Sequence, residues 1–532
     1  MRKIEPTAGS RQDRGNGADH PVTARASDAA VSAAPRPSST IVLLAGLTLL
    51  LFALRVSGPS DLTDNDQERP AAYVMDVVLH GHWWCQTDWT GEVMSKPPLF
   101  TWIAALATLA AGHANLWSLY FPGLVAIALT VVLLFLFGRN RFGWAAGFLA
   151  GLLYLVSPAG AKHIALARTD GLFAATVALT GLLGFLAWQR GRGWTGFWLA
   201  AALATLTKGP LGVLLGSMGM LAVIWERFDR RSTGRRHDTR TADVERASRL
   251  GPAHLIGIAL FLTITLGWFW LAYQQCGQGF IAKVVGRELV AHVVSPEHGS
   301  FGIGFVKAPF YWLTRFLPWS IVALVGLLRV WMHPAADEME RRFERFLFCW
   351  LLGGLLIFSL ATHQRGDLPL PLDPPAALLA GREIARWLRH WTSKQLLLRA
   401  LATAVLVFGA YAPYLHVVFA RTSEARRSEG IQSLARRLAG DSSLPPLLHV
   451  DDPYALQFHL NAMNRAVSFE AAARALAAEQ PRSVALTDVA ALRSAVGGTT
   501  TLYRLSTCSA SEKDASVTIL SNRPADALRC RR

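Results

Sequence analysis

Acidic and basic side chains recur where long apolar stretches of this chain begin or end, and their types suit chemistry on a phosphate ester. Asp66 stands three residues before Arg69 in DNDQERP, one helical turn apart, so the two could project together. Lys96 follows in SKPPLF, and Asp170 sits in ARTDGLF where a loop enters an apolar run. Lys208 lies in TLTKGP, where Gly209 and Pro210 break a helix. VVGRELVAHVV adds Arg287, Glu288 and His292, and HQRGDLPLPLDPP adds His363, Arg365 and Asp367. Lys and Arg at an interface can hold a phosphate whose lipid tail stays in the bilayer. A neighbouring carboxylate can take the proton of an attacking hydroxyl, and the cations can stabilise charge building on a departing phosphate. Taken singly, each residue has a plainer reading as a solvated loop charge or a snorkelling anchor. Recurrence on one face is what favours a site, because ionisable groups at membrane depth are costly and face a cavity or a partner.

The elements that must position these groups are membrane spans. The chain has 532 residues, 52% apolar and only 17% charged, with a mean hydropathy of +0.29. A soluble protein of this length carries more charge. A spanning helix needs about 20 apolar residues. Stretches near 40–56, 116–137, 142–158, 171–188, 194–207, 210–225, 253–273, 309–330, 346–361, 368–383 and 397–419 approach that length, giving a mainly α polytopic bundle of about 11–13 spans. Residues 1–39 are polar and read as a disordered cytoplasmic tail rather than a cleavable signal.

The formal net charge of +16 would suggest nucleic acid in a soluble protein. Here the basic residues gather in alternate loops: Arg139 and Arg141, Arg190 and Arg192, the Arg-rich 226–250, Arg341, Arg342 and Arg345, then Arg386, Arg389 and Lys394. That pattern places those loops and the N-terminus in the cytoplasm and argues against a nucleic-acid partner. The segment 97–112 is apolar, but counting it as a span would put Arg139 and Arg141 outside. It reads instead as a helix in the outer interface with Trp102 as anchor.

From about 421 the character changes. A helix ending at Gly440 precedes short β-like runs at 447–450, 483–487, 499–507 and 515–519, which together suggest a small extracytoplasmic α/β domain over 421–532. Asp451 and Asp452 before Pro453 read as a strand-to-helix turn with Asp as cap. The five Cys show no metal-ligand spacing, and Cys508 with Cys530 could pair outside the cytoplasm.

The ordered set DQERPAAYVMD, HGHWW, KPPLFTW, ARTDGLF, LTKGP, RELVAH, FLPWS and HQRGDLPLPLDPP resembles the GT-C superfamily of membrane glycosyltransferases over about 40–385, in particular the branch containing aminoarabinose transferases and protein O-mannosyltransferases. The resemblance implies transfer of a sugar from a polyprenyl-phosphate donor, with inversion, to a lipid, glycan or protein acceptor on the outer side of the cytoplasmic membrane. By position it implies Asp66 as base and Asp170 as a second catalytic carboxylate. Arg69, Lys96, Lys208, Arg287 and Arg365 fall to the donor phosphate, with Glu288, His292 and His363 as further cavity groups. The chain departs from the pattern at Gln67, where many relatives have a second acid, and at Pro70, which interrupts the expected helical continuation. Ser95 precedes Lys96 where aminoarabinose transferases have a Glu implicated in metal binding. No metal ligand or cofactor is therefore assigned, and a divalent ion stays open.

Three other readings stand beside this one. A lipid-linked oligosaccharide ligase or polymerase would want outer-face Arg and Lys too. A lipid-sugar transporter would need midspan charges and usually an internal repeat, neither of which is evident. An inactive scaffold would share the whole pattern and differ only in turnover.

Overall fold

The computed structural model describes residues 35–63, 65–233, 251–291, 303–361, 364–440, 445–496, 501–504 and 517–523. Seven helices among them are long and apolar enough to cross a membrane, and an eighth arises if one bent pair counts as a single span. The protein is a multi-span membrane protein, as the apolar runs require.

The first helix, α1 (Pro37–Ser57), begins with Pro at its start, where a missing N–H costs nothing. The structure describes this end of the chain from residue 35, and residues 1–34 lie outside the described residues. Next come α2 (Asn65–His80), α3 (Leu99–Ala111) and α4 (Leu116–Phe142). The last of these is set by a capping box between Asn115 and Ser118. After α5 (Trp144–Leu155) and the short α6 (Pro158–His163), an antiparallel pair forms from α7 (Asp170–Arg190) and α8 (Trp194–Lys208). At about 1.5 Å per residue, the 21 residues of α7 measure roughly 30 Å, the thickness of a hydrocarbon core. Asp170 and Arg190 therefore mark opposite ends of the bundle.

Several expected spans are helices well short of the roughly 20 residues that a straight crossing needs. The stretches 142–158, 194–207 and 368–383 form helices of 12, 15 and 15 residues, at Trp144–Leu155, Trp194–Lys208 and Asp373–Trp387. Every residue of α5 except Ala145 is buried, so α5 lies inside the bundle and has no lipid face of its own. The expected span 309–330 is two helices, Ile303–Arg315 and Trp319–Met332, bent by 114°. Pro318 sits at the break and has no N–H to continue the ladder.

In α2, Pro70 does not end the helix. It is the sixth residue, so only the Asp66 carbonyl loses its intrahelical donor and the remaining turns close normally. The helix Leu99–Ala111 forms where an interfacial one was expected. Its Trp102 indole donates at 2.6 Å to the Trp83 carbonyl and meets the Trp84 ring edge-on, so this ring is tied to the first loop.

Beyond the last long apolar helix, a helix spans Ser423–Gly440 and ends where the sequence placed it. Strands β1 (Leu447–His449), β2 (Ser483–Leu486), β3 (Tyr503–Arg504) and β4 (Thr518–Ser521) form one sheet in the order β1-β2-β4-β3. The β1–β2 pair is parallel and the others antiparallel. The two helices between β1 and β2 supply the crossover that a parallel pair needs. Period-two alternation splits the sheet: Val484, Leu486 and Leu520 face a small core of their own, while Ala485 and Ile519 join the main core of the bundle. The turn at 451–453 is present, but Pro453 caps the next helix without a side-chain bond. Asp451 instead accepts from the backbone of Thr487, and Asp452 from His449.

Candidate active site

The charged cluster starts from two helix ends. Asp170 is the first residue of α7, where the helix dipole favours a carboxylate, and Lys208 is the last residue of α8, where it favours a cation. Because the two helices run antiparallel with a short turn, residues 38 apart meet: Lys208 Nζ donates to Asp170 Oδ1 at 2.5 Å. Gly209, at φ +86°, then turns the chain away. Arg168 lies 3.1 Å from Asp170 on one side and 3.2 Å from Asp367 on the other.

Ser157 caps α6 through the Gly160 N–H, and this one-turn helix brings Lys162 within 2.7 Å of Asp367 and His163 within 3.9 Å. Gly123 of α4 permits this placement. A Cβ there would lie 2.6 Å from the Ile164 carbonyl oxygen and 2.8 Å from that of His163. Among the described residues, three cations thus surround two carboxylates, with a surplus of positive charge. The Arg315 guanidinium lies against Gly366 at the rim of an adjoining cleft that Lys162, His163, Trp312 and Asp367 also line.

Burial lowers the His163 imidazole to about 4 despite the nearby Asp170 and Asp367, so it is neutral at pH 7. Burial alone would raise Asp367, but the Lys162 hydrogen bond and the charges of His163, Lys162 and Arg168 outweigh it and hold the carboxyl below its ordinary range.

The same segment reaches the first loop. Arg365 Nη1 donates to Asp66 Oδ2 at 2.8 Å, with both side chains about half exposed. Arg69 does not pair with Asp66 as the helical spacing suggested. It turns to Glu92 at 2.8 Å and Asp88 at 3.6 Å, because the loop after α2 folds back along the helix. Lys283 also donates to Glu92, so among the described residues this group sets two cations against two carboxylates. Lys96 is half-buried on the same loop, just before α3.

A disulfide between Cys85 and Cys276 fastens the loop to the end of helix Pro252–Phe280. Trp89 stacks on Tyr454 with centroids 4.9 Å apart, and Arg465 donates to the Asp88 carbonyl and the Thr87 hydroxyl. The first loop is therefore clamped between the bundle and the C-terminal sheet segment.

Of the residues singled out in the sequence, the fold joins Asp170 with Lys208 and Asp66 with Arg365, and separates Arg69 from Asp66. Arg287 and Glu288 fall on the π-helical segment Ile281–Ala291, and His292 and His363 lie outside the described residues, as do Cys508 and Cys530. Sequence reasoning missed Lys162, His163, Arg168, Glu92, Lys283 and Arg315. Arg168 stood in plain view in ARTDGLF, two residues from Asp170. The Cys85–Cys276 pair carried no local signal, since 191 residues separate its halves.

Residues 95–239 match the family described as dolichyl-phosphate-mannose-protein mannosyltransferase. An undecaprenyl phosphate-alpha-4-amino-4-deoxy-L-arabinose arabinosyl transferase 2 of Pseudomonas fluorescens is 26% identical over 68% of this chain and 63% of its own length. The enzyme of the same name from Proteus mirabilis is 24% identical over 63% of this chain and 58% of its own. The chain thus spans about three fifths of the length of the curated relatives it matches. The crystal structure of ArnT from Cupriavidus metallidurans bound to undecaprenyl phosphate superposes with a TM-score of 0.70 at 16% identity, over 92% of this chain and 99% of that one. The chain shares its fold with that ArnT structure, and its sequence similarity runs to proteins named as undecaprenyl phosphate aminoarabinose arabinosyl transferases and to the mannosyltransferase family model.

Proposed function

We propose that the protein is an integral membrane glycosyltransferase. It moves a pentose or hexose from a polyprenyl-phosphate donor to a hydroxyl of a lipid, glycan or protein acceptor on the outer side of the cytoplasmic membrane, with inversion. The observation that carries this reading is the surplus of cations around Asp170 and Asp367 at one end of the bundle, beside the Asp66–Arg365 pair. A surplus of that kind, at bilayer depth, suits a lipid phosphate whose tail lies between helices.

In this reading Lys162, Arg168 and Arg365 receive the donor phosphate. Lys208 and Asp170 hold Arg168 in place. Asp66 takes the proton as the acceptor oxygen bonds to the anomeric carbon, while the bond from that carbon to the phosphate oxygen breaks. The electron pair leaves with the lipid phosphate, where the cations stabilise it. Arg69, neutralised by Glu92 and Asp88, braces the loop and does not bind phosphate. The segment 421–532 acts as a domain that secures the first loop.

Orientation draws support from both ends of the molecule. A disulfide in the first loop suits an oxidising compartment, and Arg141, Arg342 and Arg345 gather at the Arg190 end with Gln189, Glu226 and Asp229.

The test is to incubate the purified protein with polyprenyl-phosphate monosaccharides, aminoarabinose among them, and envelope lipid, following lipid phosphate release by mass spectrometry. Turnover of one donor by the wild type and not by Asp66→Asn supports the reading. Equal turnover by both removes Asp66 as base, and no turnover of any donor with a complete acceptor extract removes the function.

A further inference from the structure

Away from the charged cleft, at the far end of α2, three ligand-type side chains converge. Asp76, His80 and His82 place their donor atoms within 4.8 Å of one another. The spacing has a local cause. Asp76 and His80 are one helical turn apart, and His80 is the last helical residue. Gly81 then takes φ +73° with its N–H bonded to the Val77 carbonyl, a left-handed C-terminal turn that folds the chain back and sets His82 beside His80.

Asp76 is 1% exposed and fixed through its other oxygen. Oδ2 accepts from the Thr87 backbone N–H at 2.8 Å and from the Thr87 hydroxyl at 3.3 Å. Oδ1 meets His80 Nδ1 at 2.9 Å and His82 Nδ1 at 3.0 Å. Both imidazoles therefore offer the same ring nitrogen to one point, while their outer sides are close to half exposed.

We propose that Asp76, His80 and His82 bind a divalent transition ion of the zinc class, independently of the sugar-transfer reading. Two imidazoles and one carboxylate form a ligand set for such an ion, and calcium or magnesium would demand more oxygens. Tetrahedral bonds of about 2.0–2.1 Å put neighbouring ligand atoms about 3.3 Å apart, a few tenths beyond the two imidazole–carboxylate separations here, while all three ligand atoms lie within 4.8 Å of one another. Small rotations of two half-exposed imidazoles supply that change. The fourth position opens outward, so a water completes the set. The C-terminal end of a helix also favours a cation. Bound there, the ion ties the end of α2 to the loop that Thr87 and the Cys85–Cys276 disulfide hold, and so stiffens the platform from which Glu92 and Lys96 project.

The experiment uses the full chain in detergent, purified without a polyhistidine tag, stripped with chelator and dialysed against low micromolar Zn²⁺ with excess Mg²⁺. Metal content is read by mass spectrometry, Co²⁺ absorption reports geometry, and the melting temperature is followed with and without Zn²⁺. His80→Gln and His82→Gln sit at half-exposed positions and leave the Asp76–Thr87 contacts intact. The expected result is about one equivalent of zinc in the wild type, lost in each variant, with a Zn²⁺-dependent rise in melting temperature in the wild type alone. Wild type that retains no zinc, or variants that hold the same equivalent as the wild type, would overturn the proposal. Glycosyl transfer enters neither arm, so failure here leaves the proposed function untouched.

Discussion

Arg365 and Asp66 lie 299 residues apart in the chain and 2.8 Å apart in space, and this pair joins the first loop to the turn that carries Asp367. Arg365 thereby stands between the proposed base and the phosphate-binding cations. Asp66→Asn is expected to lower kcat by about 10²–10⁴, the usual scale for losing a general base. Its melting temperature should barely move, because a half-exposed ion pair contributes about 0–1 kcal/mol. Arg365→Ala should raise the KM for donor, and Arg365→Lys should recover part of it. A large loss of stability in either variant would mark the pair as structural.

The Asp170–Lys208 pair makes a contrasting prediction, because both side chains are largely buried. Asp170→Asn leaves Lys208 without its carboxylate and Arg168 with Asp367 alone, and Lys208→Met leaves Asp170 with one cation fewer. Removing one partner of a buried pair costs roughly 3–5 kcal/mol. The double variant should cost less than the sum of the singles, with a coupling of about 0.5–3 kcal/mol. Melting in detergent of the two single variants and the double variant measures it, and strict additivity would mean that Arg168 alone satisfies Asp170.

Much of this architecture was legible before any coordinates, for physical reasons. Apolar runs long enough to span, and the uneven placement of Arg, are one-dimensional signals, so Leu116–Phe142 and Asp170–Arg190 could be read off directly. Asp170 and Lys208 were visible because each interrupts an apolar context at a helix end. Pairings were harder. Arg69 lies one turn from Asp66, yet the fold of the loop after α2 gives it Glu92 and Asp88, and helical spacing holds no information about that loop. The same limit hid Asp367 as the hub of Lys162, His163 and Arg168. The stretch 142–158 counted as a span by its apolar character, yet it forms the short helix Trp144–Leu155, whose surface is satisfied by burial rather than by lipid.

The Cys85–Cys276 disulfide closes a loop of 191 residues and anchors the segment bearing Glu92 and Lys96. Replacing both cysteines by serine should cost about 2–4 kcal/mol of stability. The cost should be unchanged by adding reductant to the variant, whereas reductant should lower the melting temperature of the wild type toward it. If wild type and variant melt together without reductant, the bond contributes nothing and the packing of Trp268 and Phe280 around it suffices.

Acid should weaken the protein through His163 before it reaches the carboxylates. In the fold this imidazole titrates at about 4, against an ordinary 6.5, because it is buried. The unfolded chain therefore binds the extra proton first, and stability must fall as pH drops from about 6.5 toward 4. At about 1.4 kcal/mol per pH unit over roughly 2.5 units, the full loss is about 3–4 kcal/mol. Asp367 acts in the same direction at lower pH: its folded carboxyl is held below its ordinary 3.8, so its contribution survives until pH falls below that value. His163→Asn removes the first component and leaves the second. Melting curves between pH 7 and pH 4.5 should thus slope less steeply for the variant than for the wild type. Parallel slopes would mean that the imidazole is hydrated in the folded state and titrates near its ordinary value, and the neutral role assigned to it beside Asp367 would fall with that result.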